Sequence, residues 1–124
     1  MSKKILIIED DLVLQNSLDE FLKAEGFETI VAIDGEIGVQ KALTEKPDLI
    51  LLDIVLPKKS GYEVLQEVKE NEKTSRLPII LLTNLGSLSD VEKALGLGAT
   101  TYLVKADYSL DEITKKIKEI LNLK

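Results

Sequence analysis

The sequence predicts a doubly wound α/β domain, a five-stranded parallel sheet with helices on both faces. Three observations predict it. Lys4 to Ile8, Leu49 to Leu52, Ile79 to Leu82 and Tyr102 to Val104 are short apolar runs, of strand length and suited to burial on both faces. Segments with helical spacing separate them, so strand and helix alternate five times. The runs end on polar residues, Glu9-Asp10-Asp11, Asp53, Thr83 and Lys105. In an open parallel sheet the ligand crevice lies outside the carboxyl ends of the strands. These distant residues are therefore expected to meet at one edge.

After the first strand, Leu14, Leu18, Phe21 and Leu22 recur at helical spacing, and Gly26 is a C-terminal stop. Thr29 to Ile33 is a weaker strand. Asp34-Gly35 is a turn, followed by a helix carrying Val39, Ala42 and Leu43. Pro47-Asp48 opens the third strand. A loop from Ile54 to Ser60, shaped by Pro57 and Gly61, leads to a helix with Tyr62, Leu65 and Val68. Pro78 opens the fourth strand. A helix over Leu88 to Leu97 follows, then Gly98. The last helix begins at Ser109-Leu110-Asp111-Glu112, an S-x-x-E capping box, with Ile113, Ile117, Ile120 and Leu121 as its buried stripe. Right-handed crossovers and these lengths fit the flavodoxin-like order 2-1-3-4-5. That order sets strands one and three side by side at the switch point, which brings Glu9-Asp10 next to Asp53.

Composition narrows the chemistry. The 124 residues suit one compact domain over 1–124, and 44% hydrophobic residues supply a core. A net charge of −6 with no basic stripe argues against direct nucleic-acid binding. With no Cys and no His, disulfides, zinc sites, thiol chemistry and imidazole catalysis are excluded. No apolar run approaches the ~20 residues of a membrane span. The N-terminus, MSKKILIIED, lacks the apolar length and cleavage site of a signal peptide. A soluble, cytoplasmic protein without a membrane partner is expected.

Each candidate site residue has a plain structural alternative. Asp11 suits the cap of a helix N-terminus. Glu9 and Asp10 lie nearer the strand end, where clustered carboxylates repel and call for a cation or a proton. Hard oxygen ligands without His or Cys suit Mg²⁺. Asp53 taken alone is a strand-end aspartate opening a turn. Beside Asp10 it is a candidate nucleophile towards phosphorus, giving an acyl phosphate. Thr83 is either an ordinary strand residue or a hydroxyl contact to a phosphoryl oxygen. Lys105 is a solvated lysine, or an amine that pairs with the acids in the empty site and with phosphoryl oxygens in the filled one. Tyr102 reads as a partly buried strand aromatic.

The ordered set ILIIEDD, LLDIVLPKKSG, LLTN and GATTYLVK resembles the receiver domain of two-component response regulators, over essentially the whole chain. The resemblance implies the roles. Asp53 is the phosphoacceptor. Asp10 ligates Mg²⁺ directly and Glu9 directly or through water, with Asp53 and the backbone carbonyl of Val55 as further ligands. Thr83 and Lys105 hold the phosphoryl oxygens, and Tyr102 is the switch aromatic. The donor is a phosphohistidine on a histidine kinase or histidine phosphotransfer protein. Output to a downstream protein runs through the face of the fourth helix, fifth strand and fifth helix, in a monomer or weak homodimer. Three positions depart from the family's habit. Glu9 stands where aspartate is commoner, Asn84 where a small residue follows the threonine, and Ala106 where proline follows the lysine. Ala106 leaves the isomer of the preceding bond open, because cis costs a non-proline residue ~3 kcal/mol.

On this reading the chain is a signalling switch that catalyses only its own phosphorylation and slow dephosphorylation. Three rivals stand beside it. A Mg²⁺-dependent phosphohydrolase commonly needs a second aspartate two residues after its nucleophile, where this chain has Val55. A flavodoxin-like cofactor module wants aromatics against a flavin, and aromatics are only 4%. A phosphorylation-independent pseudo-receiver is disfavoured by the intact site set, though Asn84 and Ala106 leave it open.

Overall fold

The computed structural model describes residues 2–83, 88–105 and 109–123, with the side chains of Thr83 and Leu88 excepted. Within them, five strands alternate with five helices. They are β1 (Lys4–Ile8), α1 (Leu12–Ala24), β2 (Glu28–Ala32), α2 (Gly35–Thr44), β3 (Leu49–Asp53), α3 (Gly61–Glu70), β4 (Ile79–Thr83), α4 (Leu88–Gly96), β5 (Thr101–Val104) and α5 (Leu110–Ile120). The strands form one parallel sheet in the order β2-β1-β3-β4-β5, as expected.

Alternation along each strand divides the core into two layers. Leu6, Ile8, Ile50, Leu52, Ile79 and Leu81 face α2, α3 and α4, where Ala42, Val64, Leu65, Val68 and Ala94 meet them. Ile5, Ile7, Leu49, Leu51, Ile80 and Leu82 face α1 and α5, against Leu18, Leu22, Ile113 and Ile117. β3, at the centre, is buried at all five positions. It has no solvent face, so apolar residues fill it up to Asp53.

The helix ends follow local chemistry. The Asp11 carboxylate accepts from the N–H groups of Val13 and Leu14, so its capping role is the one the structure displays. Asp34 and Ser60 cap α2 and α3 in the same way. Ser109 caps α5 by accepting from Glu112 N–H, while the Glu112 carboxylate accepts from the Ser109 hydroxyl. Gly26, after α1, sits at φ +95°, a conformation that costs glycine little.

Two expectations are corrected. β2 spans Glu28–Ala32, one residue earlier than Thr29 to Ile33. Glu28 pairs with Lys4 in register, whereas Ile33 lies past the last pair, Ile8 with Ala32. Tyr102 is not partly buried but 38% exposed. β5 is an edge strand, so only one of its sides is fully covered, and Leu103 takes that side.

Candidate functional site

The carboxyl ends of β1, β3 and β5 bring three of the predicted residues into direct contact. The ammonium of Lys105, just past β5, donates to Glu9 Oε1 at 2.6 Å and to Asp53 Oδ2 at 3.1 Å. One cation thus joins two buried carboxylates from different strands. Asp10 follows Glu9 and is exposed at the mouth of the site. Carboxylate oxygens of Glu9, Asp10 and Asp53 all lie within 4.8 Å of one another.

Backbone contacts hold this arrangement. Glu9 N–H donates to the Ala32 carbonyl at 3.0 Å, which continues the β1–β2 ladder by one bond. The second Glu9 oxygen accepts from Asp11 N–H at 3.1 Å. Val55 N–H approaches Asp53 Oδ1 at 3.4 Å, so the loop after β3 turns back beside the carboxylate. The Val55 side chain is exposed. Thr83 ends β4, paired with Val104 on β5, which sets its backbone at the same edge. Its hydroxyl, Asn84, the loop from Asn84 to Ser87, and Ala106 with the bond before it lie outside the described residues.

Burial pushes the Glu9 carboxyl up from its ordinary value. The Lys105 hydrogen bond opposes that shift, and the Asp53 charge adds to it. Burial alone would lower Lys105. Its hydrogen bond to Glu9 and the charges of Asp53 and Glu9 outweigh that, so the amine is raised and stays protonated at neutral pH. The site is thus a cluster of acids with one internal counter-ion. Three hard oxygen donors converging at a solvent-facing mouth fit a small divalent cation such as Mg²⁺.

Glycines bring the β3–α3 connection close to Asp53. A Cβ on Gly61 would fall 2.4 Å from the Asp53 carbonyl oxygen and 2.5 Å from Ile54 Cα. Gly61 N–H donates to the Ile54 carbonyl at 2.7 Å. Gly35 meets the same loop from α2, since a Cβ there would lie 2.2 Å from the Lys59 carbonyl oxygen. Sequence reasoning took Gly61 as loop-shaping and Asp34-Gly35 as a turn, without the close approach that Gly35 makes to Lys59. The available signal was a glycine at the first position of a helix, where only close approach requires one. It also passed over Gln15, a buried polar residue on α1 whose amide reaches the Glu9 carbonyl. Among the described residues no helix is long and apolar enough to cross a membrane.

Comparison with known proteins agrees with this geometry. Residues 5–118 match the family model described as the response regulator receiver domain. The transcriptional regulatory protein CiaR of Streptococcus pneumoniae is 41% identical over 119 residues, covering 95% of this chain and 51% of that protein. The alkaline phosphatase synthesis transcriptional regulatory protein PhoP of Bacillus subtilis is 39% identical over 121 residues, or 98% and 49%. The chain therefore spans about half the length of the curated relatives it matches. Among solved structures, a putative response regulator from Chloroflexus aurantiacus superposes with a TM-score of 0.92 at 30% identity, covering 98% of this chain and 99% of that one. The receiver domain of sensor histidine kinase PA1611 from Pseudomonas aeruginosa, solved with a magnesium ion coordinated in its active-site cleft, gives 0.87 at 30%, covering 96% and 97%. The family match runs from β1 into α5 and takes in every strand end that carries the acid and lysine cluster, and on that ground the chain belongs to the receiver domains of two-component response regulators.

Proposed function

We propose that residues 1–124 act as one receiver domain that takes a phosphoryl group onto Asp53. One observation carries the assignment. Asp53 is a nearly buried carboxylate at the end of the central strand, with Lys105 on one oxygen and Glu9 and Asp10 beside it. The donor is a phosphohistidine of a histidine kinase or histidine phosphotransfer protein. An Asp53 oxygen attacks phosphorus, the P–N bond breaks as the P–O bond forms, and the imidazole leaves. Asp10, Asp53 and the Val55 carbonyl, supported by Glu9, would hold Mg²⁺. When bound it supplies positive charge that lets two anions approach. Lys105 gives up its carboxylate contacts for a phosphoryl oxygen, and the Thr83 hydroxyl takes another. The chain speeds only its own phosphorylation and slow dephosphorylation. The exposed apolar side chain of Val55, where a hydrolase of this chemistry would need an acid, supports a switch over a phosphohydrolase.

Output runs to a downstream protein through α4, β5 and α5, from a cytoplasmic monomer or weak homodimer. The acidic balance of these 124 residues supports a domain that does not itself contact nucleic acid. Intact mass after treatment with acetyl phosphate and Mg²⁺ tests the reading. One phosphoryl group is expected, absent in Asp53→Ala. Equal labelling of that variant would move the acceptor elsewhere. No labelling of the native chain would favour the pseudo-receiver.

A further inference from the structure

We infer that Gln15 is a positioning residue for the acid cluster, setting the peptide that joins Glu9 to Asp10. The importance of that cluster rests on the metal-dependent reading above. Gln15 lies early in α1 and is only 4% exposed. Its Nε2 donates to the Glu9 carbonyl at 2.9 Å and to the Ala32 carbonyl at 3.2 Å. A side-chain amide has two N–H donors, so both are engaged at the carboxyl ends of β1 and β2.

These contacts converge on one peptide. The Glu9 N–H is held by the Ala32 carbonyl, and that carbonyl is the second acceptor of Gln15. The Glu9 carbonyl has no other donor among the described residues. It belongs to the peptide plane that carries Asp10, so the plane's rotation sets where the Asp10 carboxylate points. The Glu9 carboxylate is held in turn by Lys105 and Asp11 N–H. Gln15 therefore holds, from outside the cluster, the carbonyl of the peptide that joins the two acids. Groups that orient metal ligands without touching the metal commonly govern affinity.

A purely structural alternative is that the amide only anchors α1 to the sheet. Glu9 and Ala32 separate the two. Ala32 keeps its Glu9 N–H partner when Gln15 is lost, whereas the Glu9 carbonyl is left buried without a donor, so the disturbance falls on the site.

The test uses Gln15→Met, of similar length without donors, and Gln15→Arg, which keeps planar N–H donors. Amide exchange is followed by NMR without metal. In Gln15→Met the Asp11 amide, which reports the Glu9 carboxylate, is expected to exchange about tenfold faster, with Ile7 and Leu51 unchanged. Mg²⁺ affinity is expected to fall about tenfold and to recover in Gln15→Arg. Unchanged Asp11 exchange would overturn the inference. So would protection lost evenly across β1, β2 and α1, in either variant, because that is general packing. A native chain that binds no Mg²⁺ would instead sink the metal reading, and Asp11 exchange would still decide on Gln15.

Discussion

Lys105 and Glu9 stand 96 residues apart in sequence and form an ion pair of 2.6 Å at a carboxylate with no solvent exposure. Without metal, Lys105 is the described charge that balances the acids. Removing one partner of a buried pair leaves the other charge uncompensated, at a cost of ~3 kcal/mol. Lys105→Met should therefore lower stability by about that amount at neutral pH in chelator. The loss should be pH-dependent. Glu9 is already raised by burial, and without Lys105 it rises further. A raised carboxyl binds its proton more readily in the folded state than in the unfolded chain. Its contribution is then full below the ordinary value of 4.5 and is lost as pH rises through the folded pKa. Urea melts of variant and native protein should converge as pH falls towards 4.5. A constant gap would show that the pair is not what Lys105 contributes.

Gly61 should tolerate no side chain. A Cβ there meets the Asp53 carbonyl and Ile54 Cα, both backbone. Gly61→Ala must displace the chain at Asp53, at ~1–3 kcal/mol. Thermal melts should show the loss, and labelling by acetyl phosphate should slow as Asp53 moves. Gly96 is the control. It ends α4 with nothing within 4 Å of an added Cβ, so Gly96→Ala should stabilise by ~0.5 kcal/mol. Equal behaviour of the two variants would remove the close-approach argument.

The ring of Tyr62 on α3 reaches two residues of α4. Tyr62 donates its hydroxyl to the Asp90 carbonyl at 3.3 Å, and Lys93 Nζ lies 4.4 Å from the ring centroid. Tyr62→Phe should keep the cation–π contact and Tyr62→Leu should lose it, with a difference of ~0.5–1 kcal/mol. Exchange of α4 amides should rise more in Tyr62→Leu than in Tyr62→Phe. Identical exchange in both would leave the ring contact without effect on α4.

How far the sequence reveals this structure depends on what each residue faces. β1, β3 and β4 are covered on both sides, so apolar residues fill all but their terminal positions and the runs stand out. β2 is an edge strand that accommodates Glu28 and Thr29, which hides its start by one residue. Asp11 was readable because a cap is decided by its nearest neighbours. The coming together of Glu9, Asp53 and Lys105 was readable through strand order. The complete burial of Glu9 was not, because it depends on how distant segments close over the end of β1. Gln15 was hidden for a different reason. In a helical stripe a polar residue reads as solvent-facing, and it is the Glu9 and Ala32 carbonyls at two strand ends that make its burial favourable.

Tyr102 is exposed on the edge strand, and that gives the proposed switch a test. It pairs in register with Leu81, and Leu103 next to it faces the α1 and α5 layer. Alternation therefore puts Tyr102 on the α4 side of the edge strand, 38% exposed. A phosphoryl group on Asp53 that draws the Thr83 hydroxyl inward would open space beneath the loop that leads into α4. Tyr102 could fill it, burying ring surface and changing what α4, β5 and α5 present to a partner. A gap of a few kcal/mol is enough for a useful population shift. Beryllofluoride with Mg²⁺, standing in for the phosphoryl group, should shift NMR signals of residues 84–97 and of Tyr102 well beyond Mg²⁺ alone. Thr83→Ala should abolish the shift at Tyr102 while leaving those around Asp53, because the pull on β4 is lost and the bound group remains. Changes confined to the surroundings of Asp53 in the native chain would make it a phosphoryl carrier without a surface switch, and a relay role would follow.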